Sequence, residues 1–199
     1  MRCYNLKFRK LSIVSIFSAL AFIIMIFEIN IPIFPFFLKL DFSEVPALIL
    51  AYLLGPIYGV MVVFLINLLH LFISSNMGIG ELANFLVGAS FVASSAYFYK
   101  KRNFSYLFSS IIGSFVMGIT AIFVNLVVII PLYENVLELP FEKILALTEK
   151  VNPYVNNLFT YLALTIFPFN ILKAAVVLIV SYFIFIRIKK IHYLKFKGE

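Results

Sequence analysis

Long apolar stretches separated by short polar segments dominate the chain and predict membrane-spanning helices. The stretches cover approximately residues 8–28, 45–54, 57–74, 82–99, 104–131 and 168–190. The second stretch falls well short of the ~20 apolar residues that a span requires. It is kept separate from the third because Gly55 permits a tight turn and Pro56 starts a helix well. The pattern therefore predicts six helices, of which the second is short.

The loop that precedes this short helix, residues 30–43, is predicted to fold into the bilayer. A helix of about ten residues rises only about 15 Å, roughly half of a hydrocarbon core of about 30 Å. Irregular backbone is tolerated at that depth only where protein buries it or where it lines a cavity. Pro32 and Pro35 keep part of the loop out of helix. We therefore expect the first loop to cover a cavity that faces outward.

Composition excludes several protein classes. Hydrophobic residues make up 63% of the 199 positions and charged residues 13%, whereas a soluble domain has about 45–50% and about 25%. Disordered chains are poor in aromatic residues, and this chain has 24 Phe and 11 Tyr. Cys3 stands alone, which excludes an internal disulfide and a cysteine-based metal cluster. Residues 1–199 are expected to form a single transmembrane domain, an all-α integral membrane protein.

The distribution of charge predicts the orientation. Lys and Arg cluster at the start (Arg2–Lys10), in the middle (Lys100–Arg102) and at the end (Arg187–Lys197), while eight of the nine acids lie elsewhere. Cytoplasmic loops collect Lys and Arg, so an even number of crossings should separate successive clusters. Treating residues 45–74 as one span would place the last cluster outside. We expect six transmembrane helices with the N and C termini in the cytoplasm, in a multi-pass protein of the cell membrane.

The segment between the fifth and sixth helices allows two interpretations. Residues 134–156 form the one sizeable extramembrane piece, and a short interfacial helix is expected around residues 141–150. Residues 154–167 either lie along the outer surface or extend the sixth helix backwards through Pro168 as a kinked span.

Amide and charged side chains at membrane depth are costly and therefore mark candidate functional positions. They are Asn67, His70, Asn84, Asn125, Asn170 and Lys173. All of them fall in the outer half of the predicted spans, whereas the inner half carries Ser, Gly and Thr. A pocket that opens outward and closes halfway through the membrane is the simplest explanation.

Structural roles compete with ligand binding at most of these positions. Asn67 and Asn84 are suited to bridge helices, and His70 to pack between them. Lys173 could extend its amine to the interface. Asn170 could cap the start of its helix. Asn125 lies too deep for either of these last two roles.

Enzyme signatures are missing from the sequence. It contains no phosphate-binding G-x-x-x-x-G-K-[ST] loop, no H-E-x-x-H and no G-x-S-x-G. Two His residues do not make a credible metal site. We therefore expect neither an enzyme nor a metal centre. A membrane enzyme that acts on a lipid is disfavoured for the same reason, because the sequence has no acid–base or metal-ligand constellation.

Short motifs follow one another in a specific order along the chain. They are Asp41-Phe-Ser-Glu-Val-Pro-Ala47, Gly55-Pro56-x-x-Gly59, Asn67-Leu-Leu-His-Leu71, Gly78-Ile-Gly-Glu-Leu-Ala-Asn-Phe85, Pro131-Leu-Tyr133 and Pro168-Phe-Asn-Ile-Leu-Lys173. From about residue 28 to 175, this ordered set resembles the substrate-binding S components of energy-coupling factor (ECF) vitamin transporters, in particular those for riboflavin.

The resemblance implies an architecture and a set of partners. S components have six helices with the first loop folded over the ligand. They associate with a transmembrane coupling protein (EcfT) and two cytoplasmic ATPases, and thereby take up vitamin from outside. Docking to the coupling protein commonly uses Ala-x-x-x-Ala on the first helix. This chain has Ser15-x-x-x-Ala19 there, still two small residues that permit close approach.

The resemblance also implies the ligand contacts. Asn125, Asn170 and Lys173 would contact the polar edge of the isoalloxazine ring, which offers carbonyl oxygens and ring nitrogens. The ribityl hydroxyls would face Asp41, Glu81 and Asn84. Riboflavin is then the transported ligand, and no cofactor is expected. The alternative is an S component or stand-alone carrier for another small vitamin or a flavin analogue, such as FMN or roseoflavin.

Overall fold

Helices form nearly all the regular structure in the part of the chain that the structure describes, residues 2–74 and 76–196. Side chains are described for residues 8–74 and 76–188, so those of Cys3 and Lys195 lie outside the described set, as does Lys197 altogether. This computed structural model contains α1 (Arg2–Ile26), α2 (Glu44–Leu54), α3 (Pro56–His70), α4 (Ile79–Arg102), α5 (Tyr106–Val124), α6 (Ile130–Val136), α7 (Phe141–Glu149), α8 (Leu158–Tyr161) and α9 (Phe167–Phe196). Two short strands, β1 (Ile29–Asn30) and β2 (Lys39–Leu40), pair antiparallel within the first loop.

Five helical stretches within the described residues are long and apolar enough to cross a membrane. They are Phe8–Ile26, Pro56–Ile73, Ile79–Arg102, Tyr106–Val136 and Leu158–Ile188. The remaining apolar helix, α2, has 11 residues, as the short second stretch predicted. The all-helical, multi-pass membrane architecture is confirmed, while the number of crossings and their direction stay predictions.

The predicted break between α2 and α3 is confirmed. Gly55 has a φ of +125°, which an L side chain rarely adopts, and Pro56 is the first residue of α3. The Lys100 amine of α4 donates to the free carbonyl of Leu53 at 2.8 Å. Gly59 then lets α3 approach its neighbours closely, because a Cβ there would lie only 2.5 Å from the Cβ of Ala51. The short helix is therefore held inside the bundle.

The helices that contain Pro131 and Pro168 are longer than the sequence predicts. The fifth was expected to end at residue 131 and the sixth to begin at 168, but both helical runs continue through their proline. In each run a π turn, Asn125–Ile129 or Leu162–Ile166, comes shortly before the proline. Proline lacks an N–H and clashes with the carbonyl four residues earlier, and a wider turn relieves both problems.

This continuity decides between the two interpretations of residues 154–167. Residues 158–167 belong to the sixth helical run, as the extension through Pro168 requires, and do not form a separate surface segment. The helix expected around residues 141–150 is present as α7. The fourth helix begins at Ile79, three residues earlier than predicted, which moves Asn84 from its first turn to its second.

Aromatic rings fill one end of the bundle. Tyr52, near the end of α2, packs against Tyr106 with ring centroids 4.3 Å apart, and Phe185 of α9 packs on both. The Tyr52 hydroxyl lies 2.7 Å from Oγ of Ser110. Tyr52 is about 12 Å along the axis of α2 from Glu44. The cavity described below lies at the other end, where α2 begins and α5 ends.

Candidate ligand-binding site

A cavity of about 600 Å³ lies between the first loop and the ends of α3, α4, α5 and α9. Its volume is in the range of about 300–1,000 Å³ that is typical of small-molecule sites. All six residues predicted to bind ligand line it, namely Asp41, Glu81, Asn84, Asn125, Asn170 and Lys173. The fold thus brings together side chains that are as many as 132 positions apart in the chain.

The first loop forms one wall of this cavity through the segment 36–39 and Asp41. Several contacts hold the loop in place, besides the contact of Asp41 that is described below. Lys39 pairs with Glu28, which lies two residues after the end of α1. The strands β1 and β2 pair with each other, and the ring of Phe34 packs edge-on against Phe169 of α9 at 5.2 Å. The loop lines a cavity, as the sequence predicts, while its depth in the bilayer and the outward direction of the cavity stay predictions.

Asn125 and Asn170 present amides whose hydrogen-bonding capacity is only partly used. Each donates through Nδ2 to the carbonyl four residues earlier, Asn125 to Ala121 at 2.9 Å and Asn170 to Ile166 at 2.8 Å. Asn125 opens one π turn, and the acceptor of Asn170 closes the other. Within the described residues, each amide therefore has one N–H and its carbonyl oxygen unused. Because Asn170 lies inside a continuous helical run, the capping role considered for it is wrong.

Glu81 is held at the cavity wall by two neighbours. Its Oε1 lies 2.9 Å from Nδ1 of His70, and its Oε2 accepts from the Ser74 hydroxyl at 2.9 Å. His70 is buried and partnered, as expected of a packing residue, although it also lines the cavity.

A hydrogen bond between Asn67 and Asn84 connects α3 to α4 and fixes the orientation of the Asn84 amide. The amide of Asn67 donates to the carbonyl of Val63 at 2.8 Å, so its oxygen faces α4. That oxygen accepts from Nδ2 of Asn84 at 3.0 Å. The oxygen of Asn84 is left to face α9, where it accepts from the Lys173 ammonium at 2.6 Å. The helix-bridging role considered for both residues is therefore present.

Lys173 is buried at 3% exposure, and its ammonium is paired inside the protein. The ammonium lies 2.9 Å from Oδ2 of Asp41 and 2.9 Å from Oε1 of Glu44. With Asn84, three acceptors surround a group that has three N–H donors. The snorkelling role considered for Lys173 is thus wrong.

Glu44 is the member of this cluster that sequence reasoning missed. It lies in the first turn of α2, is fully buried and borders Gly88 of α4. A signal was present in the sequence, because an acid that starts a helix at membrane depth requires a counter-charge. Lys173 is the one lysine among the candidate positions at membrane depth, so it was the available counter-charge.

The predicted docking residues lie on the outside of α1. Ser15 and Ala19 are exposed, whereas Val14 and Ala21 on the opposite face are buried. The Ser15 hydroxyl donates to the carbonyl of Leu11 at 3.1 Å, as a serine on an exposed helix face does. Their position leaves them accessible to a partner, and the docking role stays a prediction.

The model of the family described as "ECF transporter, substrate-specific component" matches residues 9–185. This chain belongs to that family. It is accordingly a transporter component and not an enzyme.

Relatives of this S component share most of its length. It is 34% identical to "Riboflavin transporter FmnP" of Bacillus subtilis (strain 168), with 92% of this chain and 94% of the relative covered. It is 35% identical to "Riboflavin transporter RibU" of Staphylococcus aureus (strain TCH60), with 90% of each covered. A solved structure, from "Structure and mechanism of the S component of a bacterial ECF transporter", superposes with a TM-score of 0.74 at 30% identity. It covers 93% of this chain and 98% of that one.

The buried ion cluster predicts a large stability effect of one substitution. Lys173→Met leaves the Asp41 and Glu44 carboxylates buried and facing each other without a cation, which should lower the free energy of unfolding by about 3–5 kcal/mol. Thermal unfolding of the purified protein in detergent measures this change. Lys39→Met is the matched control, because Lys39 is 40% exposed in its pair with Glu28 and should change stability by at most about 1 kcal/mol. Equal losses in the two variants would contradict the prediction.

Proposed function

We propose that this chain is the riboflavin-binding S component of an ECF transporter and captures the vitamin from outside the cell for ATP-driven uptake. The observation that carries the proposal is the pair of half-satisfied amides, Asn125 and Asn170, beside a buried ammonium in one cavity of suitable volume. The names of the relatives support the same ligand.

The chemistry of riboflavin matches the distribution of polar and apolar groups around the cavity. The isoalloxazine edge carries carbonyl oxygens and nitrogens, which an amide satisfies with one N–H and one C=O. The dimethylbenzene end needs apolar walls, which Phe36, Phe37 and Phe169 supply. The ribityl hydroxyls would then face Asp41, Glu81 and Asn84. Ligand sites of this kind are mostly apolar, with a few placed polar groups.

The proposal includes an orientation in the cell membrane. Six crossings, with α2 as a short second one, place both termini and the basic cluster Lys100–Arg102 in the cytoplasm. The aromatic end of the bundle then faces inward and the cavity outward, with the first loop folded into the bilayer. A ligand would enter from outside and meet a closed inner end.

The proposal also includes partners. The S component lacks an ATP-binding loop, so a transmembrane coupling protein (EcfT) and two cytoplasmic ATPases would supply the energy. The exposed small residues Ser15 and Ala19 on α1 would allow the coupling protein to approach closely.

The first prediction from this proposal concerns flavin binding. The wild-type protein should quench riboflavin fluorescence, and Asn125→Ala and Asn170→Ala should each raise the dissociation constant about twofold to tenfold, from about 0.5–1.5 kcal/mol per hydrogen bond. Asn135→Ala is the control, since Asn135 makes the same bond to the carbonyl four residues earlier but is exposed. A folded wild-type protein that leaves the fluorescence unchanged would disprove the function.

The second prediction concerns orientation. In a Cys3→Ser background, a single Cys at position 138 should react with an impermeant thiol reagent in intact cells. A Cys at position 101 or 195 should react only after the cells are opened. The reason is the separation of basic clusters from acids across the membrane. Labelling of position 101 in intact cells would refute this topology.

The third prediction separates docking from binding. Ala19→Leu should abolish uptake by the assembled transporter and leave flavin binding by the isolated chain intact, since bulk at a close helix contact blocks approach. Ala146→Leu is the control, because Ala146 is an exposed alanine on α7, away from α1. Loss of binding together with uptake would place Ala19 in the packing of the fold instead.

A further inference from the structure

Two lysines from distant parts of the chain meet at the end of the bundle that lies opposite the cavity. Lys10 lies near the start of α1 and Lys100 in the last turn of α4. The Lys10 ammonium lies 5.3 Å from the centroid of the Tyr58 ring in the first turn of α3. The Lys100 ammonium donates to the carbonyl of Leu53, near the end of α2, at 2.8 Å. Both lysines therefore flank the turn between α2 and α3, near enough for their charges to interact.

No acid forms an ion pair with either lysine among the described side chains, residues 8–74 and 76–188. The described acids lie toward the cavity instead. They are found in or beside its wall, at the start of α2, and in the segment 134–149, which borders the cavity through Leu139 and Ile144. Like charges that lie close together without a counter-charge repel each other. The cluster therefore suits a ligand that supplies negative charge.

Both ammonium groups have hydrogen-bonding capacity for such a ligand. Lys100 has three N–H donors and uses one of them on Leu53. Lys10 contacts an aromatic ring and donates to no described group. The turn beside them is open at Gly55, since a Cβ there would meet no heavy atom within 4 Å apart from its chain neighbours. A phosphate carries several anionic oxygens, so one phosphate between the lysines would accept charge-assisted hydrogen bonds from both.

The surroundings of the cluster favour a phosphate that belongs to a lipid. The candidate span Phe8–Ile26 begins beside Lys10, and the span Ile79–Arg102 ends beside Lys100. The lysines therefore lie at the level where lipid headgroups meet a spanning helix. Ile57 of the same turn is 63% exposed and would contact an acyl chain. Basic groups between transmembrane helices bind anionic headgroups in this way, whereas a free phosphate would leave the apolar surface unused.

We propose that Lys10 and Lys100 form a binding site for the phosphate of an anionic phospholipid, which joins α1 to α4 beside the turn between α2 and α3. The site is separate from the ligand cavity, and the inference does not depend on which vitamin the protein binds. The proposed orientation assigns this lipid to the cytoplasmic leaflet. The bound phosphate would offset the repulsion between the two lysines and so stabilise the packing of α1.

Native mass spectrometry of the full chain tests the site, with phosphatidylglycerol and phosphatidylcholine of the same acyl chains. The wild-type protein should bind phosphatidylglycerol more tightly than phosphatidylcholine. Lys10→Gln and Lys100→Gln should each weaken phosphatidylglycerol binding about fivefold, from the contribution of one lysine beside an anionic lipid, and leave phosphatidylcholine binding unchanged. A wild-type protein without preference for phosphatidylglycerol would overturn the proposal.

Lys101→Gln is the matched control for this experiment. Lys101 lies at the same end of the bundle and also contacts an aromatic ring, that of Tyr97 at 5.6 Å, but it is not part of the cluster. Its substitution should change phosphatidylglycerol binding by less than about twofold, which a site with defined partners requires. A loss equal to that of Lys10→Gln would overturn the proposal, since a diffuse positive surface predicts that result.

Thermal unfolding separates a lipid from other sources of negative charge. Phosphatidylglycerol should raise the unfolding temperature of the wild-type protein, relative to phosphatidylcholine, more than that of the double variant Lys10→Gln/Lys100→Gln. Glycerol 3-phosphate and inorganic phosphate should not reproduce the effect. Equal stabilisation by these soluble phosphates would show that the site takes a free anion. Loss of uptake by the assembled transporter in the double variant, with lipid binding unchanged, would assign the cluster to a protein partner. Either result would overturn the proposal.

A conservative variant guards against misfolding. Lys100→Gln also removes the donor to the Leu53 carbonyl, so its effect on lipid binding is compared with that of variants at position 10. Lys10→Arg keeps the charge and should retain the phosphatidylglycerol binding that Lys10→Gln loses. A folded Lys10→Arg protein that binds as weakly as Lys10→Gln would refute the role of charge. Riboflavin binding should be unchanged in all these variants. A wild-type protein that binds this lipid but no riboflavin would overturn the proposed function alone.

Discussion

The requirement that a buried ammonium be compensated organises the half of this protein that contains the cavity. Lys173 is 3% exposed, and an uncompensated charge in such a place is strongly unfavourable. Its partners Asp41, Glu44 and Asn84 reach it from three separate elements. The end of the first loop, the start of α2 and one face of α4 therefore all meet at one side chain of α9.

The hydrogen bonds behind this cluster determine its geometry. The amide of Asn67 is oriented by the carbonyl of Val63, and it orients Asn84 in turn. Asn84 thus presents an oxygen, and not an N–H, to the ammonium. The neutral hydrogen bonds between α3 and α4 therefore determine that an acceptor, and not a donor, faces the Lys173 ammonium on α9. Such connected networks are stable only when each member is satisfied.

A second constraint shapes the opposite wall. Two prolines interrupt the backbone hydrogen bonds of the fifth and sixth helical runs, and a π turn precedes each. Asn125 opens one of these turns, and Asn170 donates to the last residue of the other. Widened turns often occur at functional sites because they alter the direction of side chains. The same backbone defect thus accompanies both of the amides proposed to read the flavin edge.

Much of the architecture follows from the sequence alone. The length of the apolar stretches, the break at Gly55-Pro56 and the short second helix are local properties, because a helix and its ends depend on residues a few positions apart. The polar residues in the outer half of the spans likewise predicted one cavity, because polar groups in an apolar medium pair with one another or face a cavity. Asn125, Asn170 and Lys173 were found on that basis.

What only the tertiary structure decided is how these groups are partnered. The sequence left Lys173 free to snorkel and allowed Asn170 to cap a helix, because neither the neighbour at 2.9 Å nor the continuation of a helix through proline is a local property. Glu44 was missed for the same reason, since its counter-charge lies in another helix at the far end of the chain. Sequence periodicity determines which side chains must be buried, whereas the packing of distant helices determines which of them compensate one another.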